Sequence, residues 1–328
     1  MEILQKLQEK LGENIQENVE LKQYSTFKLG GPAKYFFIAK SREEIIKAAQ
    51  TAKELDLPFF ILGGGSNILV HDKGFDGLVI KVETKNLEMN DNIIKADAGV
   101  LLGQVVAMAM QNGLSGMEWA IGIPGTIGGA VRGNAGAYGS DTSANTMIVQ
   151  TYDLKKNQEV EMTKAECQFE YRESIFKKNS NLIILGAEFQ FEQGDKEKIK
   201  NQMMEHTKTR ICSQPKFPSV GCSFKNIIVT DEIREKIKAT DENGLKAIKT
   251  DTATGVSKIG AAWFIDRAGL KGHQIGGAKV SDEHANFIIK AEESGKADDV
   301  VQLISYIKQK VRTEFGIQLQ EEAQYIGF

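Results

Sequence analysis

The pattern of apolar and polar positions in the first 70 residues predicts a small α/β unit. Residues 33–40 (AKYFFIAK) have the composition of a strand. Ser41 and Glu44 have the spacing of a capping box, which predicts a helix whose apolar face comprises Ile45, Ala48, Ala49, Ala52 and Leu55. Residues 58–62 (PFFIL) predict a second strand, which leads into the loop GGGSN. Strand, helix and strand are then close enough in sequence for a βαβ arrangement.

The N-terminal residues 1–15 form an amphipathic pattern and predict a helix. From about residue 78 to residue 190, short predicted strands alternate with glycine turns. Residues 102–112 predict another helix, which Gly113 ends. Residues 183–191 predict a strand.

The last third of the chain changes character at a charged segment. Residues 193–208 predict a linker helix, and the polar residues 230–254 predict a surface helix and loop. Residues 298–315 predict a helix with Val300, Leu303, Ile304, Ile307, Val311 and Phe315 on one face. Residues 317–319 predict a final strand, followed by Glu321 and Glu322.

Composition and charge narrow the class of protein. A chain of 328 residues with 41% hydrophobic and 26% charged residues is typical of a soluble globular protein of two or three domains. The net charge of −3 and the lack of a basic run argue against nucleic-acid binding. We find neither a signal-peptide core nor an apolar run of the ~18 residues that a membrane span needs. Cys167, Cys212 and Cys222 lack zinc-like spacing, so we expect a cytoplasmic protein without a metal.

Glycine carries the first chemical signal. More than half of the 32 glycines lie between Gly30 and Gly139. The loop GGGSN lacks both the Gly-Lys-Ser/Thr ending of a P-loop and the GxGxxG pattern. Successive backbone N–H groups of such a loop can still bind phosphate, although a tight hairpin turn explains the loop equally well.

A second glycine block, GIPGTIGGA followed by NAGAYG at 134–139, is more specific. So many glycines and alanines offer little side chain for a core. A backbone of this kind suits close contact with a large flat ligand.

These blocks belong to an ordered series of motifs that resembles the UDP-N-acetylenolpyruvoylglucosamine reductase family. The series is YSTFKLGGPA, ILGGGSNILV, GIPGTIGGAVRGNAGAYG, FEYRESIFK, PSVGCSFKN, GLKGHQIGGAKVSDEHANFI and FGIQLQEE. The resemblance implies an α+β protein with an FAD-binding fold of the vanillyl-alcohol oxidase / p-cresol methylhydroxylase type and a smaller α/β substrate-binding domain. The implied parts are an N-terminal helix (1–20), an FAD-binding domain (21–192, in subdomains 21–75 and 76–192), a linker helix (193–209), a substrate domain (210–316) and a C-terminal strand and tail (317–328).

The implied reaction uses NADPH to convert UDP-N-acetylglucosamine enolpyruvate into UDP-N-acetylmuramate for peptidoglycan precursor synthesis. FAD is expected to bind non-covalently, because neither glycine block contains His or Cys. The expected cofactor-binding residues are Gly63, Gly64, Gly65, Ser66, Asn67, Ile123, Pro124, Gly125, Thr126, Gly128, Gly129, Ala130 and Gly136. A flavin oxidase or dehydrogenase of the same fold, acting on another sugar or alcohol, is the alternative.

The resemblance also implies three catalytic residues. Each has a simpler interpretation: a surface ion pair for Arg172, a small buried hydrophobic residue for Cys222 and a solvated strand end for Glu322. Arg172 matches the arginine that faces the enolpyruvyl group, although charge alone predicts a surface ion pair with Glu170 or Glu173. Cys222 stands where the family usually has a proton-donating serine, and the adjacent Ser223 is its rival. Glu322 matches the final glutamate of the family, with Glu321 as its rival.

Further matched positions imply the rest of the substrate site. Tyr138, Lys225, Asn226 and Lys271 correspond to positions near the nucleotide diphosphate and sugar, and His284 to one behind the acid. No tyrosine-bearing extra loop is evident between Arg172 and Arg210, so the chain resembles the loop-lacking variety. We expect a small-molecule substrate and no obligate protein partner.

Overall fold

In a computed structural model that describes residues 2–250 and 255–328, the chain forms two compact units. The first comprises Met1–Glu20, Pro32–Gly65 and Gly74–Cys212, and the second comprises Leu21–Gly31, Ser66–Lys73 and Ser213–Phe328. Within these described ranges, no helix combines the length and the apolar character that a bilayer crossing requires.

The sequence patterns predict six of the α-helices, while four short ones, at 127–133, 142–145, 175–178 and 261–267, were not predicted. The α-helices are α1 Ile3–Leu11, α2 Arg42–Glu54, α3 Leu102–Gln111, α4 Ile127–Gly133, α5 Thr142–Asn145, α6 Ile175–Lys178, α7 Lys196–Ser213, α8 Asp231–Thr240, α9 Ala261–Arg267 and α10 Ala297–Phe315. Short 3₁₀ helices cover Leu21–Tyr24, Glu118–Ala120 and Glu242–Ala247.

The strands are mostly short. They are β1 Gln16–Glu20, β2 Pro32–Ala39, β3 Phe59–Leu62, β4 Ile68–Val70, β5 Phe75–Val82, β6 Leu87–Asn90, β7 Ile93–Asp97, β8 Leu114–Ser115, β9 Gly136–Ala137, β10 Ser140–Asp141, β11 Thr146–Asp153, β12 Gln158–Thr163, β13 Leu182–Gln190, β14 Glu192–Gln193, β15 Ser219–Cys222, β16 Ile227–Ile228, β17 Lys249–Thr250, β18 Ser257–Ile259, β19 Gln274–Ile275, β20 Ala278–Val280, β21 Phe287–Lys290 and β22 Gln324–Ile326.

The first unit contains the predicted βαβ arrangement. Its sheet has the order β1-β2-β5-β3, in which β5 runs parallel to both β2 and β3. Helix α2 begins after Ser41, whose hydroxyl accepts a hydrogen bond from the Glu44 N–H at 3.2 Å. The Glu44 carboxylate accepts from the N–H of Lys40 at 2.6 Å. Ile45 and the three alanines of the predicted face are fully buried, which fixes α2 on the core.

A second sheet of the first unit, in the order β12-β11-β13-β7-β6, is antiparallel. Val149 of β11 and Phe189 of β13 are fully buried, as is Val105 of α3. Gly113, which follows α3, has a φ of +69°, as expected of a glycine that ends a helix. Both sheets therefore share one apolar core.

The second unit is built around α10 and the sheet β15-β21-β20-β19. The predicted apolar face of α10 is buried from Val300 to Val311. The carboxylate of Asp72 accepts from the N–H groups of Ala297 and Asp298 at 2.9 and 3.1 Å, and so caps the first turn of α10. Strand β22 runs parallel to β4.

Two predicted elements are wrong in extent or type. The N-terminal helix ends at Leu11, and residues Gln16–Glu20 are strand β1 instead of helix. Residues 317–319 form no strand, although Ile317 and Leu319 are buried. Their alternation reflects burial on one side only, because regular pairing begins later, at β22. The predicted surface helix is confirmed as α8, while residues 251–254 of that polar segment lie outside the described residues.

Candidate active site

The two predicted glycine blocks meet in the first unit. Strand β3 ends at Leu62, and a Cβ added at Gly64 would lie 2.8 Å from the Gly125 Cα. A Cβ at Gly63 would lie 2.5 Å from the hydroxyl oxygen of Thr126. Gly125 has a φ of +135°, which side chains disfavour. The loops can therefore approach each other only as glycine backbone.

Lys81 supports this contact and was missed from the sequence. Its ammonium donates a hydrogen bond to the Gly63 carbonyl at 2.8 Å. Burial lowers the pKa of Lys81, and the charge of Glu83 opposes that effect. The only sequence signal was a single lysine within the apolar run LVIKV of β5.

A cavity of about 640 Å³ opens beside these loops in the first unit. Gly63, Thr126, Gly128 and Gly129 line it together with Phe59 and other apolar side chains. The volume falls in the range of sites for cofactor-sized ligands. Thr126 is 3% exposed, and its hydroxyl has no hydrogen-bond partner among the described residues. Buried polar groups are nearly always hydrogen-bonded, so this hydroxyl is suited to a polar group of a bound ligand.

The remaining predicted cofactor residues flank the same loop. Ile123 and Pro124 follow the 3₁₀ helix Glu118–Ala120, and the Ile123 N–H donates to the Ala120 carbonyl at 3.1 Å. Ala130 lies buried in α4, and Gly136 begins β9. Gly136 packs against β10, since an added Cβ would lie 2.5 Å from the Ser140 carbonyl oxygen.

Arg172 occupies a strained position in a tight turn. Glu170 and Glu173 exchange backbone hydrogen bonds of 3.0 and 3.1 Å around it, and its φ is +60°. Such a conformation is costly for a residue with a side chain and tends to occur at functional sites. Its guanidinium donates to the Gly136 carbonyl at 2.6 Å. The Glu170 carboxylate pairs with Lys178.

Tyr138 is held between two side chains of α7. Its ring stacks on His206, with centroids 4.0 Å apart and planes 9° apart. The Arg210 guanidinium lies 5.2 Å from the ring centroid on which it packs. Tyr138 remains 45% exposed. Sequence reasoning did not find His206 and Arg210, because a linker-helix pattern gives no sign of which loop it contacts.

In the second unit, the structure brings Asn67, Ser223 and Glu322 together through the backbone. The Glu322 N–H donates to the Ser223 carbonyl at 2.9 Å. The side-chain amide of Asn67 donates to the Glu322 carbonyl at 3.2 Å. Cys222, at the end of β15, pairs with Phe287 of β21 and is only partly buried. One cofactor-loop residue and two of the predicted catalytic residues thus share one region of this unit.

Glu321, the neighbour of Glu322, has two recorded side-chain partners. The Glu321 carboxylate accepts a hydrogen bond from the Lys308 ammonium at 2.6 Å. Burial, followed by the hydrogen bond to Glu321, raises the pKa of the Tyr325 hydroxyl above its usual range. Glu321 therefore has structural partners on α10 and β22.

The predicted substrate residues of the second unit lie on several elements. Lys225 follows Phe224, and its N–H donates to the Gln320 carbonyl at 2.8 Å. Asn226 and Lys271 are exposed, and Lys271 lies 3.3 Å from the Asp266 carboxylate. His284 accepts the Asn286 N–H on Nδ1 at 3.2 Å. Its Nε2 therefore carries the proton of the neutral ring.

The pH dependence of unfolding is expected to report His284. Burial, with the nearby charge of Lys271, lowers the pKa of His284 below 6.5, while a backbone hydrogen bond partly opposes this. The neutral ring thus adds stability above about pH 6.5, and this contribution is lost as pH falls through the lower folded pKa. Urea unfolding between pH 7 and 5 should show a smaller loss of stability for His284→Asn than for the wild type. Equal losses in the two proteins would contradict this assignment.

The three predicted catalytic residues are divided between the units, with Arg172 in the first and Cys222 and Glu322 in the second. Their roles, like those of the other site residues, stay predictions. Within the first unit the two glycine loops meet, and within the second unit Asn67, Ser223 and Glu322 are linked by hydrogen bonds.

Comparisons with known proteins bear on what these groups do. Residues 33–153 match the family described as "FAD binding domain", and residues 214–326 match "UDP-N-acetylenolpyruvoylglucosamine reductase, C-terminal domain". The reductase of Solibacter usitatus is 34% identical over 95% of this chain and 97% of its own length. That of Caldanaerobacter subterraneus is 36% identical over 99% of this chain and 98% of its own.

A solved structure agrees over nearly the whole chain. The crystal structure of UDP-N-acetylenolpyruvylglucosamine reductase from Thermus caldophilus superposes with a TM-score of 0.73 at 30% identity, covering 94% of this chain and 98% of that one. The predicted fold class is confirmed as a mixed α/β FAD-binding domain of the vanillyl-alcohol oxidase type with the reductase C-terminal domain. The chain belongs to the UDP-N-acetylenolpyruvoylglucosamine reductase family.

Proposed function

We propose that this protein reduces UDP-N-acetylglucosamine enolpyruvate to UDP-N-acetylmuramate with NADPH, in peptidoglycan precursor synthesis. One observation carries the proposal. This chain, which belongs to the reductase family, has a cavity of about 640 Å³ beside the point where two glycine loops meet too closely to admit a side chain.

FAD fits this cavity without a covalent link. The glycine backbone of Gly63 and Gly64 permits close approach to phosphate, and the Thr126 hydroxyl can serve a polar group of the cofactor. The other residues proposed to hold it are those of the two loops and of the start of β9. Bound FAD would accept hydride from NADPH and pass it to the methylene carbon of the enolpyruvyl ether.

Arg172 is proposed to bind the enolpyruvyl carboxylate. As the methylene carbon gains hydride, the electron pair of the double bond moves toward the neighbouring carbon and its carboxylate. A planar guanidinium matches a carboxylate geometrically and keeps its charge. Its bond to the Gly136 carbonyl and the tight turn around it orient the group before substrate arrives.

Glu322 is proposed to stabilise the same developing anion as a hydrogen-bonding acid. Glu321 is its rival at the adjacent position, and the Glu321 carboxylate accepts a hydrogen bond from the Lys308 ammonium. The backbone of Glu322 is fixed on both sides, by the Ser223 carbonyl and by the Asn67 amide. Its side chain therefore extends from a well-anchored position.

Cys222 is proposed to protonate the carbon next to the carboxylate, which completes the lactyl ether. Ser223 fits this role less well, since it is 2% exposed whereas Cys222 is only partly buried. A proton donor has to reach the reacting carbon directly or through one water.

The substrate site would be completed by Tyr138, Lys225, Asn226, Lys271 and His284. The exposed face of Tyr138 and the cationic side chains suit a nucleotide diphosphate sugar. We further propose the division into FAD-binding and substrate domains given by the resemblance, the loop-lacking variety, and a cytoplasmic enzyme without an obligate protein partner. An odd number of cysteines, three, fits a reducing compartment.

FAD retention by Gly64→Val tests the cofactor part of the proposal. The wild type should purify yellow and release its flavin on heating or in acid. Valine at position 64 would collide with Gly125, so FAD should bind at least about tenfold more weakly. Gly103→Val is the matched control, since nothing lies within 4 Å of a Cβ at Gly103. A colourless wild type that takes up no added FAD would refute the proposal.

A further inference from the structure

Arg132 lines the FAD cavity but has no part in the site described so far. It lies on α4, next to the cofactor loop, and lines the cavity with Thr126, Gly128 and Gly129. Its Nη1 atom is buried and has no hydrogen-bond partner among residues 2–250 and 255–328. Buried donors are nearly always paired in folded proteins, and charged ones cost the most when left unpaired.

The hydrogen bonds of Arg132 that the structure records involve its backbone, while the Nη1 atom of its side chain has no partner among the described residues. The Ser174 hydroxyl donates to the Arg132 carbonyl at 2.7 Å, so this contact needs only the backbone. Burial lowers the pKa of the guanidinium, and the charge of Glu173 only opposes this effect. An anionic group of a ligand in the cavity would stabilise the charged form of the Arg132 guanidinium, which burial disfavours.

A second basic side chain in the cavity wall, that of Lys53, differs from Arg132 because its charged group has a hydrogen-bond partner. Lys53 also lines the cavity, but its ammonium donates to the Leu154 carbonyl at 2.8 Å. Arg132 therefore contributes a charged donor without a partner among the described residues to a cavity that Gly63, Gly128 and Gly129 also line.

We propose that Arg132 binds the diphosphate of FAD through this guanidinium. The proposal rests on the assignment of the cavity to FAD. A planar guanidinium binds phosphate oxygens through paired N–H groups. The Thr126 hydroxyl, also without a partner among the described residues, faces the same cavity and would complete the polar contact.

Binding to apo-protein separates this role from simple packing. Dissociation constants are measured for FAD and ADP, which carry the diphosphate, and for riboflavin and adenosine, which do not. The variants are Arg132→Gln and Arg132→Lys, with Lys164→Gln, an exposed lysine remote from the cavity wall, as the charge-matched control. Thermal unfolding of each apo-protein reports folding separately.

Arg132→Gln should raise the dissociation constants of FAD and ADP by roughly tenfold to hundredfold, which is the range for a charge-assisted hydrogen bond. Adenosine and riboflavin should bind as to the wild type, and Arg132→Lys should fall between. The apo-protein of Arg132→Gln should unfold at a temperature no lower than that of the wild-type apo-protein. An equal loss of affinity for all four ligands, or no loss of affinity for FAD, would overturn the proposed role of Arg132. If Arg132→Gln does not fold, the same comparison with Arg132→Lys decides. Failure of the wild type to bind FAD would instead refute the assignment of the cavity.

Discussion

Replacement of Cys222 by alanine is expected to slow reduction of the enolpyruvyl sugar at least about 100-fold, because a positioned general acid contributes about 10²- to 10⁴-fold. NADPH should still bleach the flavin at the wild-type rate, since the thiol acts only on the substrate carbon. Stopped-flow absorbance, with each half-reaction followed alone, measures the two rates.

Cys222→Ser should recover much of that loss, since a hydroxyl can also donate a proton. The same stopped-flow measurement compares this variant with Cys222→Ala.

Ser223→Ala is the matched control for this pair. Its turnover should stay close to that of the wild type, because the Ser223 side chain is buried away from solvent. Loss of turnover in Ser223→Ala, with none in Cys222→Ala, would assign the proton donor to Ser223. Unchanged turnover in both variants would mean that neither residue supplies the proton.

Glu322→Gln is expected to lower the rate of the same half-reaction by about 10²- to 10³-fold, the cost of removing one preorganised group from a developing anion. Arg172→Lys keeps the charge but loses the planar fork, so it should slow this step while flavin bleaching by NADPH continues. Both effects should appear on addition of the enolpyruvyl sugar to prebleached enzyme.

Glu321→Gln provides the control at the adjacent position. It removes an ion pair with Lys308 whose side chains are 31% and 25% exposed. Such partly exposed pairs contribute little, up to about 1 kcal/mol to stability. Its turnover should therefore change by less than a few-fold, and equal damage from both glutamate changes would show that the acid has been assigned to the wrong residue.

Local patterns were enough to predict the elements that position the cofactor loops. The buried face of α2, the strand leading to Gly63 and the meeting of a glycine-rich backbone with a ligand-sized cavity all follow from periodicity and from the lack of side chains. The prediction of a strand at 317–319 was wrong, because apolar residues alternate in the sequence in the same way whether or not the segment pairs with a neighbouring strand.

Long-range contacts were beyond such patterns. The stacking of Tyr138 on His206 and the hydrogen bond from Lys81 to Gly63 join different elements of the fold. The lack of a partner for Arg132 Nη1 among the described residues likewise depends on the folded structure. No spacing rule identifies these partners. The roles of Arg172, Cys222 and Glu322 came from ordered motifs, and kinetics of single variants will test them.

The most direct test follows the colour of the purified protein through one catalytic cycle without oxygen. The yellow protein should bleach on addition of NADPH and regain its colour when UDP-N-acetylglucosamine enolpyruvate is added, with one equivalent of UDP-N-acetylmuramate formed per flavin. Colour that returns only with oxygen, and not with the enolpyruvyl sugar, would contradict the proposed reductase and indicate a flavin oxidase.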